Sequence, residues 1–456
     1  MTSTTEGARV QAGRHAAGGL REVALLATPV VLQQLSATLM GVVDSAMVGR
    51  LGPTPLAAVG FGSIWLWTIF SLFYGTATGV QTFVSQYDGA GRQRESGPWI
   101  WQGLYALVPA ALVVVLLAAP LVPALLALLG PSQEMQGAAA AYVNARLPGE
   151  VAFAGLMVCT SFYRGIGDTR TPMLVTFGAN LVNAVLDYGL IFGKLGLPEW
   201  GVAGAGTATA ISSVLAALLF LFLVRRRHLD QRFATRPVRP DWHAMRRLLR
   251  TGLPIGGQWC VGMTSFAFFT TLVARMGDES MAASQAFVML LSLSFMQAVG
   301  ISVAASTLVG RYVGARDLQG ARQAFRSSVG LGVILGIAVA VLFVALPGPL
   351  LRIFTDDPTV VSLGRPLLLI GAVFQLFDAI AIISEGALRG AGDTRVPFLI
   401  ETAFGRGVFV PLAYTLGIVF EQGLAGAWLG GAIALAFSAG ALVWRFRAGV
   451  WERVRI

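Results

Sequence analysis

Arg164-Gly-Ile-Gly-Asp-Thr-Arg-Thr-Pro172 and Arg389-Gly-Ala-Gly-Asp-Thr-Arg-Val-Pro397 are nearly the same peptide, 389 − 164 = 225 positions apart. The same ungapped shift pairs Pro29 with Pro254, Arg50 with Arg275, Gly52 with Gly277, Ala57 with Ala282, Gly75 with Gly300, Thr82 with Thr307 and Tyr87 with Tyr312. Farther along it becomes 423 − 201 = 222, aligning Gly201-Val-Ala-Gly-Ala with Gly423-Leu-Ala-Gly-Ala, as a loop of different length would require. The chain is one unit written twice.

What is repeated is a membrane unit. Of 456 residues 55% are hydrophobic and only 12% charged, and the mean hydropathy is +0.70. A span needs about 20 mostly apolar residues to cross roughly 30 Å of hydrocarbon. Apolar runs between polar breaks predict twelve helices, near 23–48, 58–84, 98–120, 138–163, 173–193, 202–224, 250–275, 280–308, 327–349, 366–387, 397–419 and 424–444. The fold class is therefore all-α and polytopic, in two pseudo-symmetric six-helix lobes. The expected organisation is a tail at 1–21, an N-lobe at 22–224, a basic linker at 225–249, a C-lobe at 250–445 and a tail at 446–456. Six spans per unit give both lobes the same orientation, an arrangement suited to rocking about a central site.

The net charge of +10 is distributed by topology. Arg225, Arg226, Arg227, Arg232, Arg236, Arg239, Arg246, Arg247 and Arg250 crowd the connection after the sixth span, and the other even-numbered loops are also arginine-rich. The positive-inside rule then makes these loops and both termini cytoplasmic, and the charge needs no nucleic-acid partner. Arg9, Arg14 and Arg21 mark the first residues as a soluble tail with no apolar signal-peptide core. Cys159 and Cys260 fall in spans and His15, His228 and His243 outside them, so neither a disulfide framework nor a Cys/His metal site is expected, nor the catalytic constellation of a membrane enzyme.

Ionisable groups inside spans are functional candidates, because each costs at least about 2.5–3.5 kcal/mol at a helix centre. Asp44 lies in the first span. In the fifth, Asn180, Asn183 and Asp187 share one helical face. Carboxylate and amide oxygens can hold a small hard cation, and a carboxylate in hydrocarbon can carry a proton instead. Interhelical hydrogen bonding would equally explain the two asparagines. The repeat mates of Asp44 and Asp187 are Phe269 and Leu412, so this pair exists in one half only. In the other half Asp378 and Glu385 share a face of the tenth span, with Arg406 a candidate ion-pair partner. Met157, Met263, Met289, Met296, Trp65 and Trp67 are candidates for lining a cation pocket, although ordinary packing or lipid contact is the favoured reading for most of them. In the repeated loops, Asp168 and Asp393 are expected to cap the following helices.

These motifs together, with Asp44-Ser-Ala-Met-Val-Gly-Arg-Leu-Gly in the first span, resemble the multidrug and toxic compound extrusion (MATE) transporters over nearly the whole chain. The resemblance implies a bacterial inner-membrane antiporter, working as a monomer without cofactor, that exports small cationic or amphiphilic organic compounds in exchange for H+ or Na+. A flippase for a lipid-linked precursor is the alternative within the same superfamily. Asn183-x-x-x-Asp187 resembles the DinF-like branch, and this implies an ion or proton site, sodium included, at Asp44, Asn183 and Asp187 with Thr209 nearby. Phe377-Asp378-Ala379 resembles the NorM-like branch, whose seventh-span glutamate is replaced here by Gly262.

Overall fold

The computed structural model describes residues 18–129 and 133–454, so Arg9, Arg14 and His15 of the tail lie outside the described residues. Among the described residues twelve long helices carry the fold: α1 Leu20–Gly49, α2 Pro53–Gly89, α3 Pro98–Ala118, α4 Gln133–Gly165, α5 Arg170–Phe192, α6 Gly201–Val224, α7 Trp242–Ala274, α8 Asp278–Gly314, α9 Leu318–Ala345, α10 Pro358–Gly390, α11 Arg395–Val419 and α12 Gly423–Arg447. Ten are long and apolar enough to cross a membrane. The remaining two, α4 and α7, carry Arg146 with Glu150 and Arg246 with Arg247 and Arg250.

The duplication is exact in the ends of two helix pairs. Shifting α2 by 225 reproduces the ends of α8, and shifting α4 reproduces those of α10. The later change to 222 has two sources. Helix α11 is 25 residues long against 23 for α5, and the loop after it spans 420–422 where its counterpart spans 193–200. The longer helix contains two π-helical turns, Gly405–Phe409 and Thr415–Val419, each of which accommodates extra residues in the same rise.

Several helices start earlier than their apolar runs: α7 at Trp242, α9 at Leu318 and α10 at Pro358. Hydropathy marks the hydrocarbon crossing, whereas the helix ends where its backbone is capped. Asp317 accepts from Gly320 N at 2.9 Å and Asp357 from Thr359 N at 2.8 Å, and these two caps fix the starts of α9 and α10.

The chain divides into two compact units, Leu32–Gly256 and a second made of the N-terminal residues through Val31 with Gly257–Ile456. These units differ from the lobe limits read from the repeat, since the chain changes unit inside α1 and again inside α7. The two crossings, after Val31 and after Gly256, are themselves one repeat shift apart. Close packing explains them. A Cβ on Gly75 of α2 would stand 2.5 Å from the Gly256 Cα of α7, and one on Gly300 of α8 would stand 2.3 Å from Val31 Cγ2 of α1. Each glycine lets the first part of a long helix lie against the second helix of a unit.

The basic segment after α6 is folded onto the first of these units. A short helix, Arg227–Phe233, is followed by extended chain whose carbonyls are claimed by α3: Trp101 Nε1 donates to Thr235 O, Gln102 Nε2 to Arg239 O and Tyr105 OH to Val238 O, each at 2.9 Å.

Candidate functional site

In the unit Leu32–Gly256, α1 and α5 meet along a ladder of polar side chains. Gln33 Nε2 donates to Thr176 Oγ1 at 2.9 Å, and Asn180 Nδ2 donates to Ser36 Oγ at 2.8 Å. Farther along the same two helices, Asp44 and Asp187 face each other closely enough for their carboxyls to interact. The sequence offsets of these rungs are 143, 144 and 143, the signature of two parallel helices in register. Polar side chains pair along this seam, which keeps them off the hydrocarbon.

Asp187 is fully buried and accepts from Asn183 Nδ2 at 3.1 Å through one oxygen. Its Oδ1, and the Oδ1 of Asp44, receive no hydrogen bond. Two carboxyls this close cannot both be charged without a counter-ion or a shared proton. The structure therefore brings together three of the residues singled out from sequence, Asp44, Asn183 and Asp187. Asn180 is one rung away and satisfied by Ser36. The Thr209 hydroxyl donates to Ala205 O at 3.0 Å, and Thr209 lines a small pocket with Trp67, Arg146, Glu150, Phe153 and Ser213.

Arg146 and Glu150 escaped the sequence reading. They lie one turn apart in α4, with Arg146 Nε 3.3 Å from Glu150 Oε1, and Arg146 Nη1 donates to Tyr142 OH at 2.6 Å. The Tyr142 hydroxyl also hydrogen-bonds Ser63 Oγ at 2.9 Å, which ties α4 to α2. The guanidinium is close enough to act electrostatically on Asp44. A base and an acid at i and i+4 inside an apolar run were the available signal.

The unit containing Gly257–Ile456 holds a second acidic group. Glu385 is ion-paired with Arg389 on its own helix, Oε2 to Nη2 at 3.0 Å, and Arg389 Nη2 also donates to Gln258 Oε1 at 2.7 Å. Arg406, the candidate partner, is exposed on a π-helical turn of α11. Glu401, which the sequence reading passed over at the start of its span, completes the group. A Cβ on Gly262 would stand 3.7 Å from Glu401 Oε1, so α11 carries a carboxyl to the space beside this glycine. Asp378 and Glu401 both face a cavity lined also by Met263, Phe266, Phe374, Phe409 and Trp428. Of the other candidate pocket residues, Trp65 is 41% and Met289 61% exposed. Among the described residues no cluster of three or more His, Cys, Asp or Glu side chains could hold a metal ion.

The repeated loops serve the fold. Asp168 Oδ1 accepts from Arg170 N at 3.1 Å and Thr171 N at 3.0 Å, capping α5 as expected. Asp393 departs from the expectation: its Oδ2 accepts from Arg445 Nε of α12 at 2.8 Å, because a basic side chain is within reach there.

Residues 29–189 and again 254–415 match the family model MatE, two copies set apart by the repeat shift. The probable multidrug resistance protein NorM of Xanthomonas campestris is 36% identical over 436 residues, covering 94% of each chain. NorM of Thermotoga maritima, also named a probable multidrug resistance protein, is 31% identical over 95% of this chain and 93% of its own length. The multidrug resistance protein MdtK of Pectobacterium atrosepticum is 32% identical over 94% of this chain and 95% of its own. Among solved structures, a MOP superfamily transporter of Pyrococcus furiosus superposes with a TM-score of 0.86 at 20% identity, over 95% of this chain and 97% of that one. The eukaryotic MATE transporter AtDTX14 gives 0.84 at 20% identity, over 95% and 96%.

Proposed function

The chain belongs to the MatE family of membrane transporters, and from that premise we propose that it is a secondary active exporter of cationic or amphiphilic organic compounds in the bacterial inner membrane, driven by inward exchange of protons or sodium ions. The observation that carries the coupling is the facing pair of half-buried Asp44 and fully buried Asp187, set in one seam with Asn183 and leaving one buried oxygen on each carboxyl without a donor. Such a pair is neutralised by a bound cation or a proton, and once that ion leaves, the uncompensated charge favours a different conformation. Only an ion that binds one conformation of the transporter more tightly than the other can drive substrate outward. The seam joins α1 to α5, so a change of occupancy alters the packing of a helix that belongs to both compact units. Arginine-rich even loops support cytoplasmic termini.

Reconstituted in liposomes, the wild type is expected to accumulate ethidium under an imposed proton gradient or an imposed sodium gradient, and the effective gradient names the ion. Asp44→Asn is expected to reduce that uptake to the level of empty liposomes. Gradient-driven uptake that survives Asp44→Asn would place the coupling elsewhere. Failure of both gradients to move any of several organic cations through the wild type would overturn the substrate class.

A further inference from the structure

The stretch from Arg225 to Arg250 holds nine arginines against two acids, Asp230 and Asp241. Part of this charge serves the fold. Arg236 pairs with Asp230 at 2.9 Å, Arg232 donates to Gln93, Arg225 lies over the ring of Trp101, and Arg247 lies over those of Phe83 and Trp99. Asp241 is committed to the start of α7, its Oδ1 accepting from His243 N at 2.8 Å. Arg239, Arg246 and Arg250 are different. All three are exposed, and none has an ion pair or a side-chain hydrogen bond among the described residues.

Their positions are fixed by what lies behind them. Trp242, Arg246 and Arg250 follow at four-residue spacing on the first turns of α7, which sets them on one helical face, and each is exposed, Trp242 at 72%. The other side of the same turns is anchored: Leu248 is fully buried, and Arg247 covers the stacked rings of Phe83 and Trp99. Arg239 stands just before them on the extended chain held by α3, its carbonyl accepting from Gln102. The same chain gives the depth. Tyr105, which donates to Val238 O, is seven residues into a helix that starts at Pro98, so the chain lies along the first ~10 Å of α3, at the level of headgroups. The repeat marks the outward side: the mate of Arg250 is Leu25, which is 58% exposed, and Leu253, one turn beyond Arg250, is also exposed.

A row of unpaired guanidiniums that runs into exposed leucine at headgroup depth fits one class of ligand, a phosphodiester attached to hydrocarbon. Guanidinium forks match phosphate oxygens, tryptophan settles at the membrane interface, and basic clusters beside a span attract anionic lipid. We propose that Trp242, Arg246 and Arg250, with Arg239 beside them, form a docking site for the headgroup of an anionic phospholipid at the start of α7. A free phosphate would meet the arginines but leave Trp242 and Leu253 uncovered, whereas a lipid covers both. A lipid held there steadies the part of α7 that packs within the unit Leu32–Gly256, just before the crossing at Gly256.

Trp242 reports on the site. The protein is reconstituted in phosphatidylcholine vesicles containing increasing fractions of phosphatidylglycerol or phosphatidylcholine brominated in the acyl chains, and the quantity read is the tryptophan quenching that Trp242→Phe lacks. Brominated phosphatidylglycerol is expected to be preferred at least about fivefold, the preference that one arginine near an anionic surface supplies. Arg239→Gln, Arg246→Gln and Arg250→Gln combined are expected to remove the preference while leaving quenching by brominated phosphatidylcholine unchanged. Raising the salt to about 0.5 M is expected to weaken it in the wild type, which needs no variant to fold. Inorganic phosphate at constant ionic strength is expected to have no effect. Both leaflets carry the same mixture and no gradient is imposed, so the result is separate from the exporter reading. Equal quenching by the two lipids in the wild type would overturn the proposal, as would a preference that the triple variant keeps. A preference abolished by inorganic phosphate would overturn the lipid as occupant and leave a free-phosphate site.

Discussion

Arg164 donates to Gln33 at 3.1 Å and Arg389 donates to Gln258 at 2.7 Å, and each pair spans 131 residues of sequence. It is one interaction, preserved in both copies of the unit. Around it the copies part. Gln33 goes on to Thr176, whose repeat mate at 176 + 225 is Glu401. Asp44 and Asp187 correspond to Phe269 and Leu412, and Phe269 stacks on Phe409 with ring centroids 5.1 Å apart and meets Trp428 at 4.7 Å. One half is polar along its α1–α5 seam and the other aromatic. The duplication conserved the frame that holds the helices and released the positions facing the interior, so two chemically different chambers stand on one scaffold.

The largest test of this difference is to make one half resemble the other. Asp187→Leu installs the residue found at Leu412. It is expected to abolish gradient-driven ethidium uptake, because the carboxyl that faces Asp44 in the seam is gone. Uptake that survives Asp187→Leu would mean that the polar seam is not what sets this half apart, and the comparison would fail.

Arg146 and Glu150 supply a second asymmetry, because their mates are Gly371 and Gln375. Arg146→Met leaves Glu150, whose side chain is 8% exposed, without its counter-charge, and is expected to cost about 3–5 kcal/mol of stability. Adding Glu150→Gln, the residue of the other half, is expected to recover most of that loss in thermal unfolding. If the double variant is no more stable than the single one, the guanidinium serves Tyr142 and Asp44 more than it serves Glu150.

Much of this was legible before any coordinates. Twelve helices followed from hydropathy because the bilayer imposes length and apolarity together, and the two halves followed from one repeated loop. Asp44 and Asp187 could be paired as candidates because each stands alone in an apolar run. What the sequence concealed was proximity between helices. Nothing local identifies Gly262 and Glu401 as neighbours, or assigns Glu385 to Arg389 in preference to Arg406. Glu401 was overlooked for a related reason: near a span's end an acid reads as interfacial, and only the neighbouring helices decide whether it is enclosed.

The smallest effect concerns the repeated loops themselves, where nearly identical sequence, with Val396 in place of Thr171, supports two uses of one aspartate. Asp168 takes two backbone N–H groups at the start of α5 and the Thr171 hydroxyl at 2.6 Å, whereas Asp393 holds Arg445 of α12. Removing a cap costs about 1 kcal/mol, because water replaces the lost acceptor. Removing the partner of a guanidinium whose side chain is only 20% exposed costs more, about 2 kcal/mol, because the charge stays behind with less water to reach it. Asp168→Ala is therefore expected to lower the unfolding temperature less than Asp393→Ala, with Arg445→Ala combined with Asp393→Ala recovering part of the difference. Equal shifts for the two alanines would mean that the loops do the same work in both halves, and that the divergence of the copies is confined to the chambers.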